Sequence, residues 1–235
     1  MGDSKPIVEF DAVTKRYGKT RALSELTIAI ERGLITGLLG PNGSGKSTML
    51  KLIAGLVQPT GGTVLVDGER PSLKTKVKIA YLPEIDYLYG WMSVAETIRF
   101  ISSFYADWDV KRAEALLDFM HLPADTAVGR LSRGMRARLK LVLAMARNAE
   151  LVLLDEPLSG IDPPSRSKII RAIAGEYRSG KQTIVFSTHE VMESESVFDR
   201  VMLLDEGRLK LTGNADDVRQ EHGKSIQDLL EEVYA

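Results

Sequence analysis

Leu34-Ile35-Thr36-Gly37-Leu38-Leu39-Gly40-Pro41-Asn42-Gly43-Ser44-Gly45-Lys46-Ser47-Thr48 is the stretch that decides how this chain is built. Leu34–Leu39 is a short, nearly continuous apolar run, the pattern of a strand buried on both faces. It ends in Gly40–Ser47, which spells G-x-x-x-x-G-K-S, and the residues from Lys46 to Leu56 read as a helix. Strand, glycine-rich turn and helix in that order make a cradle for phosphate. Glycines let the backbone wrap closely round phosphate oxygens with several N–H groups pointing inward. A helix starting near Lys46 aims its positive end at the same place. Lys46 supplies a mobile positive charge for β- and γ-phosphates, and the Ser47 hydroxyl is placed to ligate Mg2+.

A second site follows downstream. Leu151-Val152-Leu153-Leu154-Asp155-Glu156-Pro157 is an apolar strand ending in two acids. In a parallel sheet ligands sit beyond the carboxyl ends of strands, which would bring Asp155 and Glu156 close to the phosphate turn. Asp155 can hold Mg2+ through water, and Glu156 can orient or deprotonate a water for in-line attack on a γ-phosphorus.

The rest of the chain supports an α/β fold. Ile7–Arg16, Leu26–Ile30, Thr63–Val66, Lys78–Leu82 and Thr183–Ser187 read as strands. Between Ile85 and Arg130 apolar residues recur at helical spacing, as Val94, Ile98, Ile101 and Phe104 and again as Val110, Ala113, Leu117 and Met120. Gly134–Arg147 is a further helix, with Met135, Leu139, Val142 and Ala146 on one face. Another helix, bearing Ile169, Ile170, Ile173 and Tyr177, joins two buried strands, the order of a parallel sheet covered by helices. Val201–Leu204 and Arg208–Leu211 suggest a closing hairpin. In the tail, Ile226, Leu229, Leu230 and Val233 share one face of a helix that packs on something. The basic run Arg130, Arg133, Arg136, Arg138 and Lys140 reads as a solvated helix face. His121 and His222 match no motif and are taken as structural.

Composition narrows the function. The 235 residues, 44% hydrophobic and 27% charged, suit one large α/β domain with a small helical lobe. A formal net charge of −1 argues against a general nucleic-acid binder. The absence of cysteine excludes disulfides, thiolate metal sites and cysteine nucleophiles, and suits a reducing cytoplasm. Met1–Phe10 lacks the apolar core of a signal peptide, and no apolar run approaches the roughly 20 residues needed to span a bilayer. A membrane role would run through a partner.

One more element brings in a family. Leu131-Ser132-Arg133-Gly134-Met135 opens the helix before the acidic strand and resembles the L-S-G-G-Q signature of ABC ATPases. The resemblance covers nearly the whole chain. It implies a P-loop NTPase core with a mainly parallel sheet, residues 1–84 and 148–215, together with an N-terminal antiparallel β part. It further implies a helical subdomain, residues 85–147, carrying the signature, and a helical tail, residues 216–235. Tyr17 matches the aromatic that stacks on adenine. Gly40, Pro41, Asn42, Gly43, Ser44, Gly45, Lys46, Ser47 and Thr48 match the ATP-binding turn. Glu84 occupies the place of a glutamine that touches Mg2+ and the transmembrane partner, alongside Ser47 and Asp155 as metal ligands. Ser159-Gly160-Ile161-Asp162 matches the loop that crosses the dimer interface, and His189 the histidine that contacts the γ-phosphate. Lys46, Glu156 and His189 would carry catalysis.

The implied function is an ATP-hydrolysing subunit that dimerises around two ATP-Mg2+, with an identical or a different mate. It would drive separate integral membrane permease subunits from the cytoplasmic face of the cell membrane, with no nucleic acid expected. The short form and the Leu82-Pro83-Glu84 variant resemble ATPases of bacterial ABC-2-type exporters of drugs, antibiotics or peptides, the YtrB-like group. Alternatives are a soluble ABC ATPase of translation or DNA maintenance, or a regulatory nucleotide-binding subunit of a heterodimer. Three positions depart from the commonest pattern: Glu84 for glutamine, Arg133 for glycine and Met135 for glutamine.

Overall fold

A computed structural model describes residues 5–177 and 182–234, and the side chains of Glu176, Tyr177 and Tyr234 are also outside what it describes. The apolar-face reading at Tyr177 and the first four and last residues of the terminal readings therefore lie outside the described residues.

Strand β1 (Val8–Tyr17) pairs antiparallel with β2 (Thr20–Ile30) on one side and β4 (Gly61–Val66) on the other. The larger sheet runs β5-β6-β7-β3-β8-β9, from β5 (Ile79–Leu82) through β6 (Leu151–Asp155), β7 (Thr183–Thr188), β3 (Ile35–Leu39) and β8 (Arg200–Asp205) to β9 (Arg208–Asn214). The first five are parallel; β9 closes the sheet as an antiparallel hairpin with β8. Strands β3, β6 and β7 are buried at every residue, as helices on both faces of a parallel sheet require.

The sequence placed β2 at Leu26–Ile30, yet pairing with β1 carries it back to Thr20, where exposed polar residues hide the strand pattern. Helix α1 (Lys46–Ile53) stops short of Leu56 because Gly55 takes φ +64. The amide of Leu56 then returns to the carbonyl of Lys51 at 2.9 Å, a Schellman closure. A short helix α2 (Leu73–Lys76), absent from the sequence reading, precedes β5.

Helices α3 (Val94–Ser102) and α4 (Val110–Phe119) fill the expected helical insert. Ser93 and Glu96 form a capping box on α3, and Asp109 caps α4. Val94, Ala113, Leu116 and Met120 enter the core, whereas Phe104 lies beyond α3 and Phe104 and Val110 face solvent. Helix α5 (Arg133–Met145) is followed by Arg147, whose buried guanidinium binds the carbonyls of Val77 and Ile79 and the carboxylate of Asp107. One cation thus ties the insert to the edge of the core sheet.

Helix α6 (Pro163–Tyr177) crosses from β6 to β7. The tail is two helices, α7 (Ala215–His222), which the sequence did not announce, and α8 (Ile226–Tyr234). Ile226, Leu229 and Leu230 are buried while Val233 is exposed. His121 and His222 lie exposed at helix ends.

The basic run is not a uniformly solvated face. Lys140 is buried, Arg136 pairs with Asp86 at 2.9 Å, and Arg138 donates to the carbonyl of Met120. Lateral packing beside the segment after β5 overrides the charge pattern.

Candidate nucleotide site

Register explains why distant motifs meet. Leu39 pairs with Thr188 and Asp155 with Ser187, so the turn after β3, the acids ending β6 and His189 after β7 leave the sheet at one edge.

The turn is held open by its neighbours. A Cβ at Gly40 would collide with the carbonyl of Leu204, and one at Gly45, where φ is +109, would lie 2.6 Å from the carbonyl of Ala22. Helix α1 has no side-chain cap, unlike α3, α4, α5 and α7, each capped by its own Ser, Asp or Asn. Its first amides are therefore left for an anion. The buried Oγ of Ser44 engages in no hydrogen bond, giving the turn further capacity for a ligand oxygen.

Lys46 folds back over this turn. Its Nζ donates to the carbonyls of Gly40 at 2.7 Å and Pro41 at 3.0 Å and stands 3.2 Å from Oε1 of Glu156. Glu156 in turn places Oε2 2.9 Å from Nδ1 of His189. With the ring proton on Nδ1, this contact is a hydrogen bond to the carboxylate. Glu156 sits at φ +48, a strained value for a side-chain-bearing residue, and its amide is held by Ser187. Its Oε1 is buried and pairs with Lys46 by charge without making a hydrogen bond, and so can still accept one.

Asp155 is buried and accepts hydrogen bonds from Ser47 (2.9 Å), Ser187 (2.9 Å) and Tyr81 (3.1 Å). Burial and the neighbouring Asp155 charge push the Tyr81 phenol well above its ordinary pKa of 10.0, so it stays a donor. Ser47 and Asp155 offer clustered oxygen donors, the class that suits Mg2+. Glu84 is exposed and lines the same cavity, of about 410 Å³, as Ser47 and Asp155. Tyr17 is exposed at the end of β1, beside the hairpin whose second strand packs on Gly45.

The signature residues lie at the start of α5. Ser132 caps the helix by accepting from the amide of Met135 at 3.2 Å. Gly134 is pressed against Asp162 and Ser165: a Cβ there would come within 2.5 and 2.7 Å of their side-chain oxygens. Asp162 caps α6 through the amide and hydroxyl of Ser165, at 3.0 and 2.9 Å. Arg133 lays its guanidinium against Gly160. Leu131–Met135 and Ser159–Asp162 are thus joined within one chain, Leu131 from the buried side.

Sequence reasoning overlooked Tyr81, Ser187 and Ser165. Ser187 and Thr188 immediately precede His189, but only the parallel register reveals that Ser187 faces Asp155.

Comparisons with known proteins bear on the family and the fold. The family model described as ABC transporter matches residues 23–159. The chain is 34% identical over 220 residues to Nod factor export ATP-binding protein I of Cupriavidus pinatubonensis, covering 90% of this chain and 67% of that protein. It is 30% identical over 220 residues to ABC transporter ATP-binding protein YtrB of Bacillus subtilis, covering 93% of this chain and 75% of that protein. A solved ATP binding subunit of an ABC transporter superposes with a TM-score of 0.85 at 27% identity, covering 97% of this chain and 100% of that one. A dimeric ATP-binding cassette in a post-hydrolysis state, bound to ADP and Pi, superposes with a TM-score of 0.78 at 25% identity, covering 88% and 98%. Kinship of this extent makes the chain a member of the ABC transporter family: an ATP-binding and ATP-hydrolysing subunit.

Proposed function

We propose that two copies of this chain close around two ATP molecules and thereby drive export through separate membrane-spanning subunits. Each ATP would lie between Gly40–Thr48 of one copy and Leu131–Met135 of the other, with Tyr17 against the adenine. The supporting observation is the file Lys46–Glu156–His189, with Lys46 and Glu156 buried and contacts of 3.2 and 2.9 Å. It puts a phosphate-seeking cation, a carboxylate and an imidazole in one line at the edge of the sheet. Lys46 neutralises the phosphates. Glu156 directs the attacking water, and His189 holds that carboxylate and reaches the γ-phosphate. Ser47 and Asp155, with Glu84 on the cavity wall, would hold Mg2+, which supplies charge neutralisation on the phosphates.

The second half-site acts in trans. The Ser132 oxygen already accepts from its own helix, so its O–H remains free to donate to an anion. Ser159–Asp162, joined to the signature through Gly134 and Gly160, lines the interface and reports closure. A chain that holds both half-sites can complete two sites with an identical mate.

Residues 85–147 form a helical subdomain beside the core, and 216–235 a tail. Among the described residues no helix is long and apolar enough to cross a membrane. The permease would dock on the insert, where Tyr89, Trp91, Phe100 and Phe104 form an exposed aromatic chain with ring centroids 5.1–6.0 Å apart. This patch adjoins the cavity that holds Glu84, Tyr87 and Tyr105. Such docking holds the chain to the inner face of the cell membrane. The exporter reading draws on the names of the relatives.

Measuring Mg2+-dependent ATP hydrolysis with and without the reconstituted permease tests the proposal. Turnover that rises with the permease is expected, and an inert chain in both settings overturns it. Trp91→Ala should weaken permease association while leaving hydrolysis by the free chain in place.

A further inference from the structure

We infer that Lys140 is a positioning residue that locks the Glu84 segment to the signature helix, so that the two move as one body. A lysine in the middle of an amphipathic helix is ordinarily solvated, but Lys140 is only 7% exposed. Its Nζ donates to the backbone carbonyls of Glu84 and Ile85, each at 2.9 Å, and lies 5.7 Å over the ring of Tyr87. One turn earlier on the same helix, Arg136 holds Asp86 at 2.9 Å and the carbonyl of Gly129 at 3.1 Å. Two cations four residues apart therefore grip four consecutive residues, 84–87, of the segment leaving β5.

That segment has an anchor at each end. Upstream, Tyr81 on β5 donates to Asp155 at 3.1 Å. Downstream, α5 begins at Ser132 and carries Lys140 two turns further along. The path Asp155–Tyr81–Glu84–Lys140–Ser132 runs through the Tyr81 and Lys140 side-chain hydrogen bonds, the backbone from Tyr81 to Glu84 and helix α5. Burying an ammonium carries a desolvation penalty, and a methionine of similar length would fill the space without it. The carbonyls of Glu84 and Ile85 are where that penalty is offset. A packing role alone would be met as well by an apolar residue; two directed donors fix where the Glu84 segment sits.

The inference rests on the ATPase reading above, and its test separates the two. Lys140→Met removes both donors and keeps the volume, while Lys140→Arg keeps donors. For Lys140→Met we expect a melting temperature within about 3 °C of the parent. Exchange of the amides of residues 84–88 should accelerate on the order of tenfold. The kcat for ATP should fall on the order of tenfold with KM unchanged. Lys140→Arg should restore both exchange protection and kcat. Parental exchange and kcat in Lys140→Met would overturn the inference, and so would a general loss of stability shared by the two variants. A parent chain that hydrolyses no ATP would instead count against the proposed function, leaving the exchange result to judge Lys140.

Discussion

Lys46 and Glu156 face one another at 3.2 Å with both side chains only 5% exposed, so the lysine of the glycine-rich turn is held by the carboxylate that follows β6. Under the proposed roles, nucleotide entry would exchange partners: Lys46 would turn to the phosphates and Glu156 would be released next to His189. Binding and activation of the carboxylate would then be one event.

Glu156→Gln keeps shape and hydrogen-bonding capacity but removes the base. Turnover should fall by roughly 10²–10⁴-fold. ATP affinity should hold or rise, because Lys46 loses its competing charge. Stopped-time hydrolysis and nucleotide binding on the same preparation check both halves. Parental turnover would refute the assignment.

Lys46→Ala should weaken ATP binding by about 10–100-fold, the value of a charge-assisted contact. It also removes the cation paired with Oε1 of the buried Glu156 and leaves His189 as its neighbour, at a stability cost of up to about 3–5 kcal/mol. Adding Glu156→Gln to Lys46→Ala should recover much of that stability and none of the binding. Urea unfolding of the single and double variants reads the difference.

Ser132 has two separable duties. Ser132→Ala loses the helix cap, worth about 1 kcal/mol, together with the outward hydroxyl. Ser132→Asp preserves the cap but sets a negative charge where a γ-phosphate would dock. It should melt near the parent temperature yet show no ATP-dependent association; association that survives would argue against contact in trans.

Gly134→Ala places a methyl group 2.5 Å from Asp162 Oδ1 and 2.7 Å from Ser165 Oγ. Overpacking of this kind costs about 1–3 kcal/mol and should push the interface loop away from the signature. Hydrolysis should drop while ATP binding to the isolated turn stays at the parental value.

The amide and then the hydroxyl of Ser165 hold Asp162 below its ordinary pKa of 3.8. An acid with a lowered folded pKa stabilises the fold above its unfolded value and loses that contribution as pH falls through the folded one. Stability should therefore decline below pH 3.8 with a part owed to Asp162. Asp162→Asn should remove that part, which denaturant titrations at pH 6 and pH 3 would detect. An unchanged difference between the two pH values would contradict it.

Local signals gave the turn, the acidic strand and the signature, because in each of them function demands a fixed order of residue types. Leu34–Leu39 and Leu151–Leu154 read as buried strands since both faces are covered. What escaped was set by neighbours distant in the chain. Thr20–Leu23 joins β2 only because β1 lies beside it. Lys140 looked like a solvent-facing charge until the carbonyls of Glu84 and Ile85 accounted for its burial. The mostly polar α7 buries only Ala215 and Val218, too few for a periodic signal.

The central claim is that ATP joins two copies of the chain. Light scattering of Glu156→Gln with Mg2+ and ATP tests it most directly. The account predicts a shift from 25.9 kDa to twice that mass, reversed on removing ATP and lost when Ser132→Asp is added. A chain that binds ATP yet keeps the mass of a single copy at every concentration would contradict it.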